Sequence, residues 1–219
     1  MMAGRRMLVA GLLAVAAGTP AGIAAQQQCG REWKMPVVGG WAEWRASRGS
    51  ARFALIGSEQ KEGKTLYRLE MSGGGENGGV MQVVVPNFPF QMDAAEELVM
   101  MRPGSPAMKL SGPMLEMMKA NIRQRPNPTL DLASRCASLA VVGEESVTVP
   151  AGTFKTRHLK DATTGDEVWV SENVPFGLVK HVGKESGETV LVATGADAKS
   201  AITGTPIEMG PGMMGPPRN

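Results

Sequence analysis

Polar and apolar residues alternate with a period of two over several short stretches, each closed by a turn signal. In Gly40–Ala46, GWAEWRA, the residues Trp41, Glu43 and Arg45 alternate with Ala42, Trp44 and Ala46. ARFALIG repeats that period with Phe53 and Leu55 on one face, and KTLYRLEM, the Gly-rich SGGGENGG and VMQVVV follow. Such alternation predicts half-buried strands, and the short Gly, Asn and Ser runs predict hairpins between them. The stretch Val147–Gly195 continues the pattern, with turns at PAGT, TTGD, NVPFG and GKESGE. Val, Thr, Phe and Trp suit a pleated surface, while Gly, Pro, Asn and Asp supply the turn geometries.

The period changes in the middle of the chain. PNFPF (Pro86–Phe90) is too rich in proline for a central strand, EELVMMR reads as a short strand, and Pro113 opens a helix, PMLEMMKANIRQ. Proline is tolerated in a first turn. Met114, Leu115, Met117, Met118 and Ile122 then form one broad apolar stripe, until Pro126 and Pro128 stop the helix. TLDLASRCASLAVVG fits either a short helix or a strand.

The ends of the chain follow other rules. Arg5 and Arg6 precede the apolar run Met7–Gly18, and small residues lead to Ala25. That order predicts a secretory signal peptide over 1–25, since an apolar core of roughly a dozen residues falls short of the ~20 needed to span a bilayer. Residues 26–204 are expected to form a single domain, and the Pro-, Gly- and Met-rich 205–219 a disordered tail. Export places the protein in the periplasm, where two cysteines, Cys29 and Cys136, favour a disulfide. The full chain has 23 Lys and Arg against 21 Asp and Glu. The leader holds two of the arginines and no acid, so the mature chain is formally neutral. No basic cluster stands out, which argues against nucleic acid as a partner.

The C-terminal pair VPAGTF and VWVSENVPFGLVK, followed by ETVLVATG, resembles a group of exported bacterial domains of unknown function. That group is similar to the periplasmic outer-membrane lipoprotein carrier superfamily. The resemblance implies a mostly β fold: a strongly curved antiparallel sheet, a half-open barrel, with a short helix packed on its concave face. A two-layer sandwich is the competing arrangement. The carriers' lipid-gating residues have no counterparts that can be placed one by one on this chain.

Catalytic patterns are thin. The chain has two histidines, His158 and His181, and no HExxH, GxSxG or phosphate-loop spacing. A trio of His158, Asp166 and Ser171 can be drawn from any chain of this length. DATTGDE (Asp161–Glu167) lacks calcium-loop spacing, so a hairpin turn with solvated acids is expected there. Methionine is the unusual component: 13 of the 16 lie beyond the leader, among them Met100, Met101, Met108, Met114, Met117, Met118, Met209, Met213 and Met214. Thioethers fill irregular core gaps, repack around ligands of variable shape, or bind Cu(I). The sequence therefore predicts a non-enzymatic envelope protein without a cofactor. It would hold a lipid acyl chain or lipidated protein between sheet and helix, at Met114, Leu115, Met117, Met118 and Ile122, with Phe88 and Phe90 as a lid and possible peripheral contact with the outer membrane. A Cu(I) site on Met114 with Met117 or Met118, and a structural component with no ligand, are the alternatives.

Overall fold

The computed structural model describes residues 35–47, 49–73, 78–86, 92–124 and 138–209. Their architecture is one twelve-stranded, mostly antiparallel sheet with a single α-helix. In chain order the strands are β1 (Trp41–Ala46), β2 (Gly49–Lys61), β3 (Lys64–Gly73), β4 (Val80–Val85), β5 (Glu97–Met101) and β6 (Met108–Leu110). After the helix α1 (Gly112–Gln124) come β7 (Leu139–Val149), β8 (Gly152–Asp161), β9 (Glu167–Val170), β10 (Leu178–Gly183), β11 (Gly187–Gly195) and β12 (Ile207–Glu208). Side by side they run β12-β6-β5-β4-β3-β2-β1-β11-β10-β9-β8-β7. Two local meanders are thus joined where β1 pairs with β11, and β12 adds in parallel beside β6.

The expected half-barrel is not formed. The strands lie in one open line whose end members, β7 and β12, do not pair with each other. Register shifts are confined to single points, at Glu43/Trp44, Leu55/Gly57, Val141/Gly143 and Leu178/Lys180. The helix does not lie in a trough of the sheet either. It packs chiefly against a 3-10 turn, Met92–Ala94, and sends Leu115 into the core.

Both cysteines of the expected bridge, Cys29 and Cys136, lie outside the described residues, and no disulfide is present among the described ones. What joins the distant halves is the six-pair ladder from Trp41↔Gly195 to Ala46↔Thr189, which ties the two meanders by backbone pairing.

Cross-strand register explains where the core sits. Leu55, Leu69, Val83, Leu98 and Leu110 stand opposite one another on five adjacent strands, all at 5% exposure or less. Side chains directly opposite share a face, so one row of aliphatics forms the spine of the core. Trp44, Phe53 and Phe176 close one end of it by edge-to-face contacts, with centroids 5.4 to 6.4 Å apart. Trp44 Nε1 donates to the Leu178 carbonyl at 2.8 Å, which satisfies its buried donor.

The opposite face is covered by the chain's own C-terminal segment. After β11 its described part runs as a strap bonded to residues of β1, β3 and β4 and pairs as β12 beside β6. Trp41 Nε1 donates to Asp197 Oδ1 at 2.9 Å, and Ala198 N donates to the Gly39 carbonyl. Further along, the buried Glu70 carboxylate accepts from Gln82 Nε2, Ser200 Oγ and the Ala201 backbone N–H. The segment expected to be disordered therefore contributes a strand, Ile207–Glu208, within its described part.

Candidate functional site: a methionine row at the edge of the core

One step along the strands from the aliphatic spine lies a second row. Met71 on β3 stands opposite Met81 on β4, Met81 opposite Met100 on β5, and Met100 opposite Met108 on β6. Phe53 continues the row on β2 and Ile207 on β12. Met71 is buried at 7% exposure, whereas Met81, Met100 and Met108 are half-buried. Met81 and Met100 pack on the same core that receives Leu115 of α1, and Met35, Met114, Met118 and Met209 join its margin. The result is a soft apolar border, made of unbranched thioethers, between a close-packed spine and solvent.

The expected helix stripe divides on folding. Leu115 is 3% exposed and belongs to the core, Met114 and Met118 are half-buried against it, and Met117 points outward at 48% exposure. Ile122 lies in the last turn of α1, where side chains are outside the described part. Phe88 and Phe90 lie outside the described residues. Sequence reading named Met100 and Met108 but missed Met71 and Met81 as their partners. Only the register of β3 with β4 sets those two opposite each other, which their spacing does not announce.

Both histidines face carboxylates. His158 stacks on Trp169 with centroids 4.4 Å apart, and its ring nitrogens face Glu145 at 3.4 Å and Glu167 at 3.1 Å. The imagined triad is not assembled, since Asp166 faces His181 at 3.3 Å instead. The Ser171 hydroxyl accepts from Asn173 N. Asp161, expected as a solvated acid, is buried. It accepts from Ser138 Oγ and from the N–H groups of Thr163 and Thr164, and so organises its turn.

Three carboxyls are held below their ordinary range. For Glu167 the hydrogen bond from Lys160 leads, and His158 adds to it. For Asp197 it is the Trp41 indole. At Glu97 burial pulls upward, but Arg68 at 2.8 Å and Lys109 at 3.1 Å together outweigh it.

Among the described residues no group of His, Cys, Asp and Glu could hold a metal ion, and no helix is long and apolar enough to cross a membrane. A cavity of about 160 Å³ opens at the β2 bulge, lined by Ile56, Gly57, Glu59, Leu66, Arg68 and Val84. Arg68 there is already paired with Glu97.

No protein-family profile matches the chain, and no curated protein matches it. Two solved structures are similar over part of it. A candidate lipoprotein from Parabacteroides distasonis ATCC 8503 has 12% identity and a TM-score of 0.33, covering 74% of this chain and 98% of its own. A candidate exported protein with a YmcC-like fold from Bacteroides fragilis NCTC 9343 has 10% identity and a TM-score of 0.35, with the same coverage. Scores this low do not establish a common fold.

Proposed function

We propose that this chain is an exported, non-enzymatic protein of the cell envelope that holds an apolar ligand, a lipid acyl chain or lipidated peptide, along its methionine row. The row itself carries the reading: Met81, Met100 and Met108 stand in register and half-buried, and Met81 and Met100 pack on the same core as Met114 and Met118. Unbranched thioethers change rotamer at little cost, so such a border accommodates chains of variable shape. The leader sequence supports the compartment. Met117, the outermost residue of the helix stripe, and Ile122 would extend the same apolar margin.

Cu(I) is the second reading, because adjacent thioethers are soft ligands. Native mass spectrometry of protein purified from its own envelope, followed by titration of the delipidated protein with a fluorescent fatty acid and with Cu(I), separates the two. Acyl-chain binding is expected to fall about tenfold in Met100→Glu, equivalent to ~1.4 kcal/mol, and to survive in Met100→Leu, which keeps the apolar surface without sulfur. Stoichiometric copper that is lost in Met100→Leu, with no bound lipid, would overturn the acyl-chain reading in favour of the metal. Failure of both ligands to bind would remove both.

A further inference from the structure

The two edges of the sheet are treated differently. At one end β6 is covered by the chain's own β12. At the other, β7 runs for 11 residues, Leu139–Val149, and among the described residues its only ladder is with β8. Every residue from Ala140 to Ser146 is exposed, including Val141 at 45% and Val142 at 56%. An open edge presents a row of unpaired N–H and C=O groups to any strand that arrives. Natural edges are blunted by Pro, by charged side chains, above all Lys, and by bulges; LAVVGEESVTV has no Pro or Lys, and its protection is two glutamates and one register shift. The register shift between Val141 and Gly143 leaves Val142 with no opposite residue on β8, so its side chain is free to pack on a newcomer.

Charge decides what kind of strand fits. The only charged residues of β7 are Glu144 and Glu145, both exposed. Glu145 is engaged by His158 and by the Trp169 indole. Glu144 stands opposite Arg157 on its inner side, and its outer side is open. Two copies of β7 meeting antiparallel in the fully overlapped register would set Glu144 against the Glu144 of the other copy. Like charges directly opposite are destabilising, so self-pairing is disfavoured and a basic strand is favoured.

The geometry points to β7 as a docking edge for an extended segment of another protein, which adds as a thirteenth strand with Lys or Arg opposite Glu144 and aliphatic residues beside Val141 and Val142. Main-chain hydrogen bonds would supply affinity and the Glu144 position would supply selectivity. This use of the edge is independent of the methionine row.

The test uses two 11-residue extended peptides of Val and Thr that differ only in Lys or Glu at the position facing Glu144. Anisotropy reads binding and hydrogen exchange reads its place. The Lys peptide is expected to bind more tightly by roughly two- to tenfold and to slow exchange across Ala140–Ser146. Glu144→Lys, a change on an exposed side chain, should reverse the preference. Absence of protection in β7 at millimolar Lys peptide overturns the proposal, and so does a preference that ignores Glu144→Lys. A concentration-dependent dimer in sedimentation, protected over the same residues, would make the occupant a second copy and overturn it equally.

Discussion

Single residues set the conditions under which this sheet is stable. Glu62 and Gly63 form the two-residue turn between β2 and β3, with φ of 51° and 76°. Both central residues of a type I′ turn need positive φ, which suits Asn-Gly and strains glutamate. Glu62→Asn is expected to raise stability by about 0.5–1 kcal/mol, measured as a higher urea midpoint with unchanged slope. Phe176 also has positive φ, at 63°, yet is buried against Trp44 and Phe53, so aromatic packing holds a backbone that glycine would adopt freely. Glu97 links stability to acid. Its carboxyl lies below the ordinary range in the fold because Arg68 and Lys109 outweigh burial. A depressed carboxyl contributes stability that is fully present above its unfolded value, near ~4.3, and is lost as pH falls through the lower folded value. Glu97→Gln should therefore be less stable than the parent at pH 7 and lose less on acidification below pH ~4.3, as read by denaturant titrations across that range.

At the scale of elements, the local part of the fold was legible in the sequence. GWAEWRA, KTLYRLEM, VMQVVV and PMLEMMKANIRQ lie on β1, β3, β4 and α1, because period and turn chemistry are properties of neighbouring residues. LAVVG, open between helix and strand on propensity, begins β7, where pairing with β8 settles the choice. Non-local relations were not legible. Nothing in the spacing of Met71, Met81, Met100 and Met108 announces a row until the register of three strand pairs is known. The helix stripe was visible as apolar, but which of its residues entered the core depended on the 3-10 turn beneath it, so Leu115 went in and Met117 stayed out. The half-barrel came from resemblance rather than from periodicity, and alternation by itself cannot distinguish a curved sheet from an open one. The strap was unreadable for the same reason, since its partners lie more than a hundred residues away at Glu70 and Trp41.

For the whole molecule, that strap is the element whose loss should have the most specific consequence. A sheet of twelve strands has two faces, and this chain sends Leu115 of α1 into the core on one and lays its own C-terminal segment against β1, β3 and β4 on the other. Among its described residues the segment forms one short strand, Ile207–Glu208, and is otherwise held by polar contacts. Those contacts converge on Glu70, which is 2% exposed and accepts from a side-chain amide, a hydroxyl and a backbone N–H. Removing the acceptor leaves the buried Gln82 amide with Ser200 Oγ as its partner and takes the acceptor from the Ala201 N–H, a loss of roughly 1–3 kcal/mol. Glu70→Ala should accordingly release exchange protection across residues 197–209 while β8 to β11 keep theirs, because the second meander is held by its own ladders and by β1. Unfolding of the entire sheet in step with the strap would instead make Glu70 part of the global core. Unchanged protection in 197–209 would show that the pairing of β12 with β6 and the Asp197–Trp41 bond suffice to hold the strap in place. In the expected case, freeing the strap uncovers the polar face and opens the β6 edge. Among the described residues β6 would then be unpaired on its outer side, and self-association through β6 should appear in Glu70→Ala and not in the parent chain.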